Sequence, residues 1–268
     1  MMNKKNFHLQ SAWSWGMPVF ALLSLAVIYL THSNQAVFIY LNQHLYFQPE
    51  SIWINITLYG DAAMTMILLL PLIGKRPDII TKTFIAAIIT TLFIHGFKEF
   101  LSVARPPAVL SPDVFHQLGN QFAQSSFPSG HAAAVFTLAS MIIFMVKNTR
   151  VRSFFLVYAS VISLSRIACG VHWPIDVLGG MFFGWLAAFI SFTLFQKYSA
   201  NGLLSQRITA SLLLLASIHL IFLHDGGDKE ARFLEILTPV ICLILSLKGL
   251  KSLFLDPILL FLLSKRAR

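Results

Sequence analysis

The chain is a succession of apolar runs, each close to the roughly 20 residues an α-helix needs to cross the hydrocarbon core of a bilayer at about 1.5 Å per residue. Eight such runs fall at about 14–31, 52–74, 79–97, 131–147, 153–169, 173–195, 208–224 and 234–250. They predict an all-α, polytopic transmembrane helical bundle. Composition agrees: the 268 residues are 56% hydrophobic and 12% charged, whereas about a quarter of a soluble domain is charged. With 24 phenylalanines, intrinsic disorder is excluded. The run at 52–74 is the poorest, because Asp61 lies in its first half; an intramembrane carboxylate is a functional suspect by default, but structural pairing is the favoured reading for it. The segment 251–264 carries Lys251, Asp256 and Pro257 and reads as an interfacial amphipathic stretch. Trp13, Trp15 and Tyr29 flank the first run as interfacial anchors do, so it reads as a span and not as a cleaved leader.

A net charge of +9 on a soluble chain would raise nucleic acid as a partner; here the distribution of charge matters more, and no nucleic acid is expected. With the N-terminus in the cytoplasm and eight alternating crossings, Lys4, Lys5, Lys75, Arg76, Lys82, Lys147, Arg150, Arg152, Lys197, Arg207, Lys248, Lys251, Lys265, Arg266 and Arg268 fall inside. That is fifteen of the twenty basic residues, as the positive-inside rule requires. Both termini are then cytoplasmic. Lys98, Arg105, Arg166, Lys229 and Arg232 remain outside, and the first three lie where the rule would rather not have them.

Those exceptions lead to chemistry. Lys98 and Arg105 are two helical turns apart, so a continued helix would face them the same way, and Pro106-Pro107 would then stop it. After an outer loop comes Phe127-Pro128-Ser129-Gly130-His131, immediately before an apolar helix. A serine at the N-cap, a glycine that admits close approach and the free N–H groups of a first turn make an anion site. The third piece is Ser165-Arg166, followed by His172-Trp173-Pro174-Ile175-Asp176, in which His172 and Asp176 fall four apart on one helix face. All three pieces map to one membrane surface. Three fixed cations, a helix N-terminus, two histidines and a carboxylate suit a phosphate. A histidine paired with a carboxylate is a nucleophile candidate, and a second histidine can serve as general acid for the departing oxygen.

Lys98-x6-Arg105-Pro106, Pro128-Ser129-Gly130-His131 and Ser165-Arg166-x5-His172-x3-Asp176 together resemble the three-part signature of the type-2 phosphatidic acid phosphatase family, membrane lipid phosphatases related to the vanadium haloperoxidases. The resemblance implies a six-helix phosphatase core within 1–200, with two additional membrane segments and a basic tail over 201–268 in the same membrane domain. It implies catalytic roles for His172 as nucleophile, Asp176 as its orienting partner and His131 as proton donor. Lys98, Arg105, Ser129, Gly130 and Arg166 would bind the phosphate, with no metal and no cofactor.

Taken singly, each element has a blander reading. Lys98, Arg105 and Arg166 are basic side chains of the kind that snorkel at helix ends, a lone histidine is most often structural, and Asp176 can cap its own helix. The joint pattern reverses those readings. His95, Glu99, His116 and Gln117 are read as local partners, His219 as a buried bundle contact, and Asp225-Gly226-Gly227-Asp228 as too short for a calcium loop. Cys169 and Cys242 make no disulfide framework or paired metal spacing.

The expected activity is hydrolysis of a terminal phosphate from an amphiphile in the inner membrane of a bacterium, at the periplasmic face. Undecaprenyl diphosphate is the first expectation, with phosphatidylglycerophosphate, phosphatidate and the lipid A 1-phosphate close behind. Phosphotransfer to a lipid acceptor through the same intermediate is the alternative enzyme, and a transporter the alternative of another class. Oligomeric state is left open.

Overall fold

A computed structural model describes residues 11–119, 125–195, 202–224 and 229–256. Among the described residues the regular structure is helical and no strand occurs. The helices are α1 (Ala12–Leu30), α2 (Asn34–Leu45), α3 (Ser51–Leu58), α4 (Ala62–Ile67), α5 (Pro77–Leu101), α6 (Pro106–Val109), α7 (Gly130–Met145), α8 (Thr149–Ala168), α9 (Pro174–Leu194), α10 (Leu203–Ile218) and α11 (Arg232–Leu250). Short π-helical turns, His219–Leu223 and Lys251–Leu255, extend the last two.

Each of the eight apolar runs is helical, but not each is one straight span. Six helices among the described residues have the length and hydropathy to cross a membrane. The run at 52–74 is broken into Ser51–Leu58 and Ala62–Leu72, which meet at 63°. The cause is local: α3 ends at Tyr59-Gly60, and Asp61 caps α4 by accepting the Met64 N–H at 3.0 Å. The suspect carboxylate is thus engaged with backbone at the break. The run at 131–147 becomes α7, whose 16 residues extend about 24 Å, short of the roughly 30 Å hydrocarbon core. It is buried on all sides instead of facing lipid, as an all-round apolar helix should be.

Two expectations need correcting here. The stretch from 251 begins as a continuation of α11, apolar as far as Leu255, and not as a separate interfacial segment; residues 257–264 lie outside the described residues. His219 is exposed, its ring lying against that of His224, and is no buried bundle contact. Lys4, Lys5, Lys197, Lys265, Arg266, Arg268 and the 225–228 turn also fall outside the described residues.

The bundle is built around α7, with α9 pressed against it. Glycine makes that approach possible: a Cβ at Gly180 would stand 2.4 Å from the Ser129 carbonyl oxygen, and one at Gly184 2.3 Å from that of Ala133. Small residues at a helix interface let two backbones meet where lipid supplies no hydrophobic drive. The N-terminus of α7 is thereby locked to the first turns of α9, the pair on which the site depends. At the other side α10 and α11 cover the broken pair α3–α4. Met64, Ile67 and Leu70 are buried with Leu213 and Leu220, and the Tyr59 and Thr238 hydroxyls share a hydrogen bond at 3.0 Å.

Candidate active site

Successive long helices alternate in direction, so residues distant in sequence meet at one end of the bundle. Lys98 lies in the last turn of α5, Ser129 at the N-cap of α7, Arg166 in the last turn of α8 and Asp176 in the first turn of α9. Lys75 and Arg76, before α5, and Arg150 and Arg152, at the start of α8, lie at the opposite end. Arg105 arrives by a different route from the one its spacing predicts. The helix stops at Leu101, Ser102 adopts a left-handed conformation at φ 44°, and Pro106 starts α6 instead of ending α5. Arg105 reaches inward from the connecting segment, its Nη1 donating to the Val171 carbonyl at 3.3 Å. It is buried nonetheless, as Arg166 is. Charged groups of this kind are rarely buried without a partner.

His172 and Asp176 are a buried pair, with Nδ1 and Oδ2 at 3.3 Å. The carboxylate is placed by its own helix: Oδ2 also accepts the Trp173 N–H at 2.8 Å. Ser126 donates its hydroxyl to the same oxygen and lies 3.5 Å from His172 Nδ1. With Nδ1–H directed at the carboxylate, the lone pair of Nε2 is left for an electrophile. The other oxygen, Oδ1, is buried without a hydrogen-bond partner. Trp173, whose indole N–H donates to the Ala104 carbonyl at 2.8 Å, ties this loop to the segment that carries Arg105.

The helix N-terminus that faces this pair is that of α7. Ser129 Oγ accepts the Ala132 N–H at 3.4 Å, as an N-cap does, and keeps its own proton for a ligand. The Ser129 N–H donates to the Asp176 carbonyl oxygen at 2.9 Å, which couples the cap to the carboxylate's backbone. Gly130 is uncrowded: a Cβ there would meet only Ile94, at 3.9 Å. The close approach it permits is therefore to whatever enters in front of the helix. Arg166 Nη1 donates to Thr57 Oγ1 at 2.6 Å, so the guanidinium is held by α3.

Burial pushes the His172 imidazole well below its ordinary range, and the positive fields of Arg105, Arg166, Lys98 and His131 push it further. The sign favours nucleophilicity. A group with a depressed pKa stays neutral to lower pH than a free imidazole, so its lone pair is available through neutrality. In the substrate-free protein, ¹⁵N resonances assigned to the His172 ring by comparison with His172→Gln should titrate at lower pH than those of a free imidazole in the same buffer. A midpoint at or above 6.5 would contradict this account of the site.

The fold brings His172, His131 and Asp176 together with Lys98, Arg105, Ser129, Gly130 and Arg166 at one end of the bundle. Of the bystanders, His116 stacks on Tyr46 with ring centroids 3.7 Å apart, a structural contact. His95 faces a cavity beside His131. Three further residues join the site without a motif to announce them. Ser126 bonds the carboxylate and Thr57 holds Arg166. Gly60, at the break between α3 and α4, packs on the His131 ring so closely that a Cβ would stand 2.7 Å from Cδ2.

Residues 80–200 match the PAP2 superfamily. Over 62 residues the chain is 42% identical to the putative undecaprenyl-diphosphatase YbjG of Escherichia coli strain K12, a match covering 23% of this chain and 31% of that one. It is 27% identical over 143 residues to an undecaprenyl-diphosphatase of Sulfolobus acidocaldarius, covering 53% and 63% respectively. The matches thus span about a third and somewhat under two thirds of these relatives. The fold is similar to that of a transmembrane PAP2-type phosphatidylglycerolphosphate phosphatase from Bacillus subtilis, at TM-score 0.52 and 23% identity, covering 70% of this chain and 98% of that one.

Proposed function

We propose that this chain, a member of the PAP2 superfamily through residues 80–200, is an integral membrane phosphatase that removes the terminal phosphate of a lipid phosphate or diphosphate. The observation that carries the reading is the buried His172–Asp176 pair set among Lys98, Arg105 and Arg166 in front of the N-terminus of α7. In this reading His172 Nε2 attacks phosphorus while the bond to the lipid-side oxygen breaks, and His131 delivers a proton to that oxygen. Water then cleaves the P–N bond, returning His172 and releasing inorganic phosphate. Lys98, Arg105, Arg166, the Ser129 hydroxyl and the Gly130 N–H stabilise the equatorial oxygens of the transition state. Arg105, Arg166 and Ser129 are already held by hydrogen bonds to the protein, and three cations would offset the charge that a metal ion neutralises in other phosphoryl-transfer sites.

Undecaprenyl diphosphate is the preferred substrate in this proposal, supported by the names of the two relatives given above. The charge distribution supports a site on the periplasmic side of a bacterial inner membrane with both termini in the cytoplasm. The functional groups gather at one end of the bundle and not near its middle, which favours an enzyme over a transporter. Residues 1–200 would form the catalytic unit and 201–268 would buttress it.

The test is phosphate release by the detergent-purified full-length protein from undecaprenyl diphosphate, phosphatidylglycerophosphate, phosphatidate and lipid A, each in EDTA. Fast release is expected from undecaprenyl diphosphate, at least tenfold above the others in kcat/KM. Release abolished by EDTA would refute the metal-independent mechanism. Release from none of the four, with phosphate transferred to an added lipid alcohol, would replace hydrolysis by phosphotransfer.

A further inference from the structure

His172 is oriented by its hydrogen bond with Asp176. For His131, the second residue of α7, no side-chain hydrogen bond does the same among the described residues, so packing places its ring. A histidine side chain turns about two single bonds, and a proton donor has to stand within hydrogen-bond reach of the oxygen it serves. The ring packs on the peptide at Gly60, in the turn between α3 and α4. A Cβ at Gly60 would stand 2.7 Å from Cδ2, 2.8 Å from Cβ and 3.0 Å from Cγ of His131. These three nearest atoms are all carbons, so the support runs along the carbon edge of the imidazole and not along its nitrogens.

The backbone does not demand glycine here, because Gly60 lies outside the left-handed region that Gly74 and Gly170 occupy. The approach of the ring is what excludes a side chain. The peptide is itself pinned on both flanks. The Gly60 N–H donates to the Thr57 carbonyl at 2.9 Å and the Asp61 N–H to the Leu58 carbonyl at 3.0 Å, while the Thr65 hydroxyl donates to the Tyr59 carbonyl at 2.9 Å. Behind the turn, Leu58 and Met64 are buried in one cluster with Leu213 and Leu220. Thr57, near the end of α3, holds Arg166. A single break in the second apolar run thus carries supports for two groups that belong to different motifs.

Resting on the phosphatase reading above, we propose that Gly60 is a positioning residue for His131: its bare peptide fixes the imidazole where it delivers a proton to the departing oxygen, and the break between α3 and α4 is what brings that peptide there. Carbon atoms in contact normally stand about 3.5–4.0 Å apart, so a methyl group at position 60 displaces the ring by about 1 Å. A misplacement of that size costs about 10²-fold in a step that depends on the group. The loss is selective, because the proton is needed only where the departing oxygen cannot leave as an anion. An alkoxide needs it and a nitrophenolate does not.

The test is the ratio of kcat/KM for dodecyl phosphate to that for 4-nitrophenyl phosphate, measured on the detergent-purified protein. In Gly60→Ala the ratio should fall at least about tenfold, with the vanadate-dependent rise in melting temperature retained. A parallel fall on both esters, or an unchanged ratio, overturns the proposal, since damage to the fold or to phosphate binding moves both alike. Thr65→Val frees the Tyr59 carbonyl without adding bulk beside the ring, and keeps the question open to measurement if the alanine variant does not fold. It should lower the ratio in the same direction by a smaller factor, and no change there overturns the proposal. His131→Ala separates the support from the reading it rests on. That variant should lower the ratio at least as far as Gly60→Ala, and adding Gly60→Ala to it should lower the ratio no further. An unchanged ratio in His131→Ala would remove His131 from the role of proton donor, whereas a fall in His131→Ala without one in Gly60→Ala would refute the support alone. Release from neither ester by wild type would refute both together.

Discussion

Replacing His172 by alanine should reduce phosphate release by more than about 10³-fold while the protein still inserts in the membrane and still binds vanadate, a mimic of the five-coordinate phosphoryl group. The size of the effect follows from the role proposed for the residue. A nucleophile makes a covalent bond to the reacting atom, and removing one member of a catalytic unit costs about as much as removing the unit. Only the rate supplied by binding and by the fixed donors remains. The ring is 2% exposed, so alanine also leaves a hole between α8 and α9; a loss of activity from misfolding has to be told apart from a loss of chemistry. His172→Gln serves that end, since it keeps most of the volume and a group able to face Asp176, but offers no basic nitrogen to phosphorus. Both variants should be inactive, and both should keep a vanadate-dependent rise in melting temperature through Arg105, Arg166 and α7. More than a few per cent of wild-type activity in either would remove His172 from the role of nucleophile.

The parts of this site that were legible in the sequence are those whose signal is local. His172 and Asp176 are one helical turn apart, Ser129 caps the helix it begins, and basic residues at apolar helix ends violate a topology rule. The membrane bundle is legible for the same reason, since each span satisfies its own backbone hydrogen bonds. What stayed hidden was set by tertiary approach. Thr57 and Arg166 are 109 residues apart and Ser126 and Asp176 are 50 apart, and a serine or threonine in an apolar stretch gives no sign of its partner. Gly60 looks like any glycine at the end of a short helix until the His131 ring is found against it. The Lys98–Arg105 spacing suggested one helical face, yet the chain leaves the helix at Ser102 and still delivers Arg105 to the same place. The motif specifies which groups converge, and the local backbone specifies how.

Arg166→Ala should lower kcat/KM by about 10³-fold, equivalent to about 4 kcal/mol of transition-state stabilisation. Arg166→Lys should recover only part of it. The guanidinium offers planar, paired donors that match two phosphoryl oxygens, whereas lysine supplies a point charge. Its position is fixed from two sides: it stands in the last turn of α8, where the helix dipole favours a cation, and it donates to Thr57 Oγ1 at 2.6 Å. A donor already oriented has no reorganisation to undergo as charge builds on the phosphoryl oxygens, and that is where such groups contribute most. The anchoring predicts a graded series. Thr57→Val removes the tether and keeps the charge, so it should cost about tenfold, mostly in kcat, and Arg166→Ala combined with Thr57→Val should be little worse than Arg166→Ala alone. Additive losses in that double variant would mean that Thr57 acts on something other than Arg166, and an Arg166→Lys enzyme as fast as wild type would mean that charge alone, without the fork, is what the site requires.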